Sequence, residues 1–98
     1  MFIVQLHYKV DLSEVDKYLS AHREFLDLYY QKGIFLASGP MTPRTGGIII
    51  VTSRNKAALE AILQCDPFYI AEIARYEIIE FSPVKFRNEI KDLIELNT

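Results

Sequence analysis

A long segment of helical periodicity, residues 11–32, lies between two short runs that alternate like strands, and this order limits the fold more than any other feature. In residues 2–9, Phe2, Val4, Leu6 and Tyr8 share one face, and Ile3, Gln5, His7 and Lys9 share the other, which predicts a strand. Val15, Tyr18, Leu19, Phe25, Leu26 and Tyr29 then follow helical spacing. Asp11 with Glu14 has the form of a capping box, with Ser13 as a competing cap. Gly33 stands where a helix end calls for a left-handed residue. A second strand is expected over 34–38, broken by Gly39-Pro40, and 42–47 is a turn-rich hairpin loop. Residues 47–52 form a third strand, apolar on both faces through Ile48, Ile49, Ile50 and Val51. Ser53 or Asn55 caps a second helix to about residue 64, with Ala58, Leu59, Ile62 and Leu63 facing inward. Asp66-Pro67 opens a short helical segment to about residue 72, and 75–81 is a fourth strand. Residues 85–96 predict a terminal helix with Phe86, Ile90, Leu93 and Ile94 on one side.

The order β-α-β-β-α-β, plus a C-terminal helix, is the signature of an α+β ferredoxin-like plait. Right-handed crossovers place both helices on one face of an antiparallel sheet, with the first and third strands central. The 98 residues suffice for one domain, 1–98, in which 84–98 is a helical extension. The second sheet face poses a problem. Ile48 to Val51 and Phe2 to Val4 are continuous apolar runs, and such strands are usually covered on both sides. A bare apolar face is rare in monomers. The terminal helix covers part of it at most. A homodimer packed through its sheet faces is therefore expected, with a higher oligomer left open.

Charge excludes some function classes. Eleven basic and thirteen acidic residues give a net charge of −2, and the nearest approach to a basic cluster is Lys85-Phe86-Arg87. A nucleic-acid binder normally carries a basic stripe, so no nucleic-acid partner is expected. Cys65 is the one cysteine, which permits no internal disulfide and no thiolate-based zinc site. The opening residues carry no basic leader and no apolar run has the length of a membrane span. A cytoplasmic protein with no membrane partner is the default expectation.

His22 is the first candidate for chemistry. It sits in the stripe Val15, Leu19, His22, Leu26, Tyr29, in the middle of the inward face. An imidazole there needs a hydrogen-bond partner. It is either a core histidine satisfied by a backbone carbonyl or a general acid or base, a role that suits a ring titrating near neutrality. Asp66-Pro67-Phe68 is the second. Proline pushes Asp66 out of the helical region and makes it a natural N-cap. The alternative is that Asp66 turns inward to orient the His22 ring; the two roles are compatible, since a carboxylate has two oxygens. Ser38-Gly39-Pro40 is either a plain strand exit or a place where backbone meets a ligand. Arg44 at the loop tip is either solvated or meets an anionic substrate. Tyr8, Tyr18 and Tyr29 read as core or pocket wall, and His7 lies on the more polar face of its strand. No metal site and no cofactor are expected: the histidines lie on opposite sides of the sheet, and phosphate loop, dinucleotide fingerprint and nucleophile elbow are all missing from the sequence.

Four segments in this order together resemble the YCII-related, or YciI-like, family. They are Ala21-His22-Arg23-Glu24-Phe25-Leu26, the stretch from Gly33 to Pro40, the Gly46-Gly47 strand entry, and Asp66-Pro67-Phe68. The resemblance covers nearly the whole chain up to Phe81 and departs in the tail from Lys85 and the short hairpin loop. It implies a dimeric α/β barrel, a form of the ferredoxin-like plait. It implies a pocket in which a histidine and an aspartate are the catalytic pair, here His22 and Asp66. Ser38, Gly39 and Pro40 would line that pocket, and Arg44 and Phe68 complete the expected substrate-binding set. It also implies small enzymes with lyase or dehydrochlorinase chemistry on muconolactone-like or hydroxyquinone-like compounds.

Three functions follow as expectations. The first is a cofactor-independent enzyme with His22 as acid/base on a small cyclic or carboxylated metabolite. The second is a module that binds a small-molecule ligand without turnover. The third is a quinol or haem monooxygenase, which rests on the shared barrel architecture alone and so ranks last.

Overall fold

The computed structural model describes residues 1–96, so positions 97 and 98 of the expected C-terminal extension lie outside the described residues. In chain order the elements are β1 (Phe2–Tyr8), α1 (Leu12–Lys17), α2 (Leu19–Gln31), β2 (Phe35–Pro40), β3 (Gly46–Val51), α3 (Lys56–Leu63), α4 (Pro67–Ile70), β4 (Ala74–Glu80), a 3₁₀ turn (Asn88–Ile90) and α5 (Lys91–Leu96). The strand order is β2-β3-β1-β4, and all neighbours are antiparallel. β1 and β3 are central, and the architecture is that of the ferredoxin-like plait.

The period-two pattern of β1 decides which face is covered. Phe2, Val4 and Leu6 are buried, and Phe2 and Val4 stand in register with Val51 and Ile49 of β3. These join Val15 of α1, Phe25 of α2, Leu59 and Leu63 of α3 and Phe68 of α4 in one core. The helices thus sit on one side of the sheet. On the other side Ile3 is flanked by Ile50 and Ile79, and Gln5 by Ile48 and Glu77. Ile79 is 43% exposed there, while Ile3, Ile48 and Ile50 are half-buried.

Local signals set most boundaries. Asn55 Oδ1 accepts the Ala58 N–H at 3.0 Å and starts α3. Gly33, at φ 72°, takes the left-handed position that ends α2. Gly46 answers a different need. A Cβ on it would lie 1.7 Å from the Leu6 backbone oxygen, so β1 and β3 approach this closely only with hydrogen at that position.

Several boundaries differ from the sequence expectation. The helix over 11–32 is two helices, α1 and α2, parted at Tyr18 with φ −107° and ψ 0°. Its N–H reaches back only to Val15 O, a tight turn that no glycine or proline announces. The Asp11–Glu14 capping box is not made: Asp11 caps with no side-chain bond, and Glu14 pairs with Lys17 at 2.7 Å instead. β2 does not stop at Gly39-Pro40 but runs through Pro40, opposite Gly47. Proline is tolerated because β2 is an edge strand. Ala58 is exposed rather than inward. The terminal helix starts later than residue 85, since Arg87 is extended at φ −69° and ψ 145°. Of its expected stripe Ile94 is buried, while Phe86 and Leu93 are exposed. No helix among the described residues is long and apolar enough to cross a membrane.

Candidate active site

The Asp66-Pro67 step places the acidic side chain. Asp66 precedes a proline and is accordingly extended, at φ −66° and ψ 127°. Pro67 takes the first helical position of α4, and Asp66 Oδ1 accepts the Phe68 N–H at 3.0 Å as an N-cap. The same carboxylate is fully buried. Its Oδ1 lies 2.8 Å from His22 Nδ1 on α2, and its Oδ2 accepts the Tyr76 hydroxyl of β4 at 2.5 Å. A buried carboxylate is costly unless hydrogen-bonded, and here both oxygens have donors.

These contacts fix the imidazole as well. With a carboxylate oxygen facing it, Nδ1 is the protonated nitrogen and donates, which leaves a lone pair on Nε2. The ring is stacked on Phe68, with centroids 4.0 Å apart and planes 3° from parallel. Among the described residues no buried side-chain nitrogen or oxygen lacks a partner, and Nε2 has no protein partner. Nε2 is therefore the open atom of His22, a residue that lines a cavity of about 530 Å³.

That cavity lies between α2 and the β2–β3 end of the sheet. Of the residues singled out from sequence, it touches His22, Ser38, Gly39, Pro40, Arg44 and Phe68. Asp66 does not line it and stands behind the imidazole. Arg44 reaches the cavity with its guanidinium already engaged by Asp16 Oδ1 at 2.6 Å, a partner on α1 that the sequence did not suggest. Tyr8 is pocket wall, Tyr29 packs in the core against Phe25 and Phe35, and Tyr18 is exposed and does not line this cavity. Ser38 Oγ and the Tyr30 hydroxyl are 2.6 Å apart on the cavity wall.

The residues missed from sequence are Tyr30, Asp27 and Arg23 on the wall and Tyr76 behind Asp66. Arg23 and Asp27 flank the His22 and Leu26 stripe, so helical spacing from His22 was the signal that could have found them. Burial, and then the nearby Asp66 charge, push the Tyr76 phenol well above its ordinary range, so it remains a hydroxyl donor. No group of histidine, cysteine and carboxylate side chains among the described residues could hold a metal ion. His7 faces Glu77 at 3.3 Å on the open side of the sheet, and Cys65 is exposed.

The family model of the YCII-related domain matches residues 1–82. This chain belongs to the YCII-related family. Cavity, His22, Asp66 and Tyr76 all fall within the matched residues, and the 3₁₀ turn and α5 fall outside them. Among solved structures, a 5-chloro-2-hydroxyhydroquinone dehydrochlorinase (TftG) from Burkholderia phenoliruptrix AC1100, in complex with 2,5-dihydroxybenzoquinone, is similar to it. The TM-score is 0.67 at 16% identity, over 83% of this chain and 93% of that one. At this identity the likeness is one of fold. No curated protein matches the chain.

Proposed function

We propose that this YCII-related chain is an acid/base enzyme that uses its own side chains on a small oxygenated ring compound. The observation that carries the reading is the placement of His22, with Nδ1 bonded to a buried carboxylate and Nε2 open beside a cavity. A base so held takes a proton from a hydroxyl or an activated carbon, and Asp66 stabilises the imidazolium that results. The proton is then at hand for return to another substrate atom. Leu6, Leu19, Leu26, Ile49 and Phe68 give the cavity apolar walls suited to a flat ring. The Tyr30–Ser38 hydroxyl pair offers a partner for a second ring oxygen.

The structural neighbour's dehydrochlorinase chemistry is of this kind. Loss of HCl from a chlorinated hydroxyquinol needs one O–H proton removed, one proton delivered to the chlorine-bearing carbon, and chloride leaving with the C–Cl pair as a second O–H proton departs. One histidine meets that need if it takes the first proton, returns it to the chlorine-bearing carbon and, neutral again, takes the second as chloride leaves. The test is chloride release from 5-chloro-2-hydroxyhydroquinone, run beside ring opening of a muconolactone. Saturable turnover of either above the spontaneous rate is expected. Saturable binding of both without turnover would make the chain a binding module instead.

We also propose that two copies pair through the open sheet face. Ile3, Ile50 and Ile79 form a cross-strand apolar row there that no helix of the main core covers. A charge in the middle of such an interface is strongly unfavourable. Ile50→Lys is therefore expected to run as an 11.3 kDa monomer in size-exclusion with light scattering, where the parent chain runs at twice that mass. A parent chain that is itself monomeric at micromolar concentration removes the proposal.

A further inference from the structure

The hydroxyl of Tyr76 is the only donor on the outer oxygen of Asp66 among the described residues. The inner oxygen is shared by two donors, the Phe68 N–H at 3.0 Å and His22 Nδ1 at 2.8 Å. Phe68 N–H comes from the same capping turn as Asp66, so it holds one oxygen and leaves the carboxylate free to swing about it. Tyr76 stops that swing. It enters from a different element, β4, where its neighbour across the sheet is Leu6 of the buried face. Its ring is fixed edge-on against Tyr69, with centroids 5.6 Å apart. Its own position is thus set by the sheet and by α4, independently of His22.

We propose that Tyr76 is a positioning residue that locks His22 in the tautomer with a bare Nε2. The argument is one of hydrogen-bond supply. Asp66 has no access to water, so an outer oxygen without Tyr76 has no substitute donor. A buried carboxylate with an orphaned oxygen relieves the cost in one of two ways. It rotates to share its donors between both oxygens, or it takes up a proton. Either change weakens the acceptor that faces His22 Nδ1–H. The preference for a proton on Nδ1 over Nε2 then falls, because it comes from that acceptor. An imidazole with its proton on Nε2 presents a donor to the cavity and cannot act as the base. Tyr76 never touches the ligand space, since it does not line the cavity. It acts only through Asp66. The burial of the phenol beside a carboxylate, which keeps it protonated, agrees with a permanent donor.

This rests on the reading of His22 as the base, but its test needs no substrate. The protein is labelled with ¹⁵N at histidine, and the ring nitrogens of His22 are followed by long-range ¹H–¹⁵N correlation through a pH series and read on the alkaline plateau, where their shifts no longer change with pH. His22 in the parent chain is expected to show one protonated and one bare nitrogen, with Nδ1 protonated. Tyr76→Phe, which removes one oxygen and keeps the ring, is expected to shift both nitrogens toward averaged values of mixed tautomers. The His22 pattern unchanged in a folded Tyr76→Phe chain overturns the proposal. So does a parent chain with Nε2 protonated. If Tyr76→Phe does not fold, the parent chain still decides. A hydrogen-bonded Tyr76 hydroxyl proton, protected from exchange and shifted downfield, is expected, and its absence overturns the assignment. A failure of turnover with an intact tautomer lock would count against the enzyme reading alone.

Discussion

His22→Gln is expected to lower kcat by roughly 100- to 10,000-fold, the range a single general acid or base supplies. KM should change little, because the cavity walls and the Tyr30–Ser38 pair are untouched. Glutamine can still hydrogen-bond to Asp66, so the buried carboxylate keeps a donor at that point. What it cannot do is accept and return a proton at neutral pH. The stacked contact with Phe68 is lost, and a modest fall in melting temperature is expected with it. The measurement is steady-state turnover of whichever substrate in the chloride-release and lactone assays is accepted, with far-UV circular dichroism as the check on folding. Full activity in a folded His22→Gln chain would remove the imidazole from the mechanism and leave only the cavity.

How much of this was legible in the sequence depends on the range of the interaction. The order of strands and helices was legible because each signal is local: alternation in β1, spacing in α2, Asn55 and Asp66 as caps. His22 on an inward stripe was legible for the same reason. Its 2.8 Å approach to Asp66, across 44 positions of chain, was not. Periodicity says which face a residue is on and nothing about which helix end comes to meet it; that pairing came from the family resemblance. Tyr76 was invisible for a sharper reason. On a half-buried strand a tyrosine reads as an aromatic that fills the core, and the pattern does not show where its hydroxyl goes. Tyr29 and Tyr30 make the same point side by side. One packs its ring on Phe25 and Phe35, while the other points its hydroxyl to Ser38. The break at Tyr18 left no mark at all, because a single tight turn needs no special residue.

Two substitutions at Asp66 separate what its shape does from what its charge does. Asp66→Ala strands the Phe68 N–H, the His22 Nδ1–H and the Tyr76 O–H in a site closed to water. Each buried orphan costs about 1–3 kcal/mol, and the sum is less than additive. A total loss of about 3–5 kcal/mol is expected, a large part of the ~5–15 kcal/mol that holds a domain of this kind together. Its melting point should fall by at least roughly 12 °C, at ~4 °C or more per kcal/mol. Asp66→Asn behaves differently. The amide oxygen still accepts from Phe68 and His22, and the amide nitrogen faces the Tyr76 oxygen, which accepts in place of donating. The three contacts survive, but the second amide N–H and the Tyr76 O–H hydrogen lose their acceptor, so stability should drop by about 1–3 kcal/mol, less than in Asp66→Ala. The negative charge that steadies the imidazolium is gone, and turnover should fall by roughly 100-fold or more. Thermal melts and turnover on the two variants, taken together, give the answer. Equal losses of stability in Asp66→Ala and Asp66→Asn would mean that charge, and not the geometry of three donors around two oxygens, holds this corner of the fold. A fully active Asp66→Asn would mean that His22 works without its carboxylate.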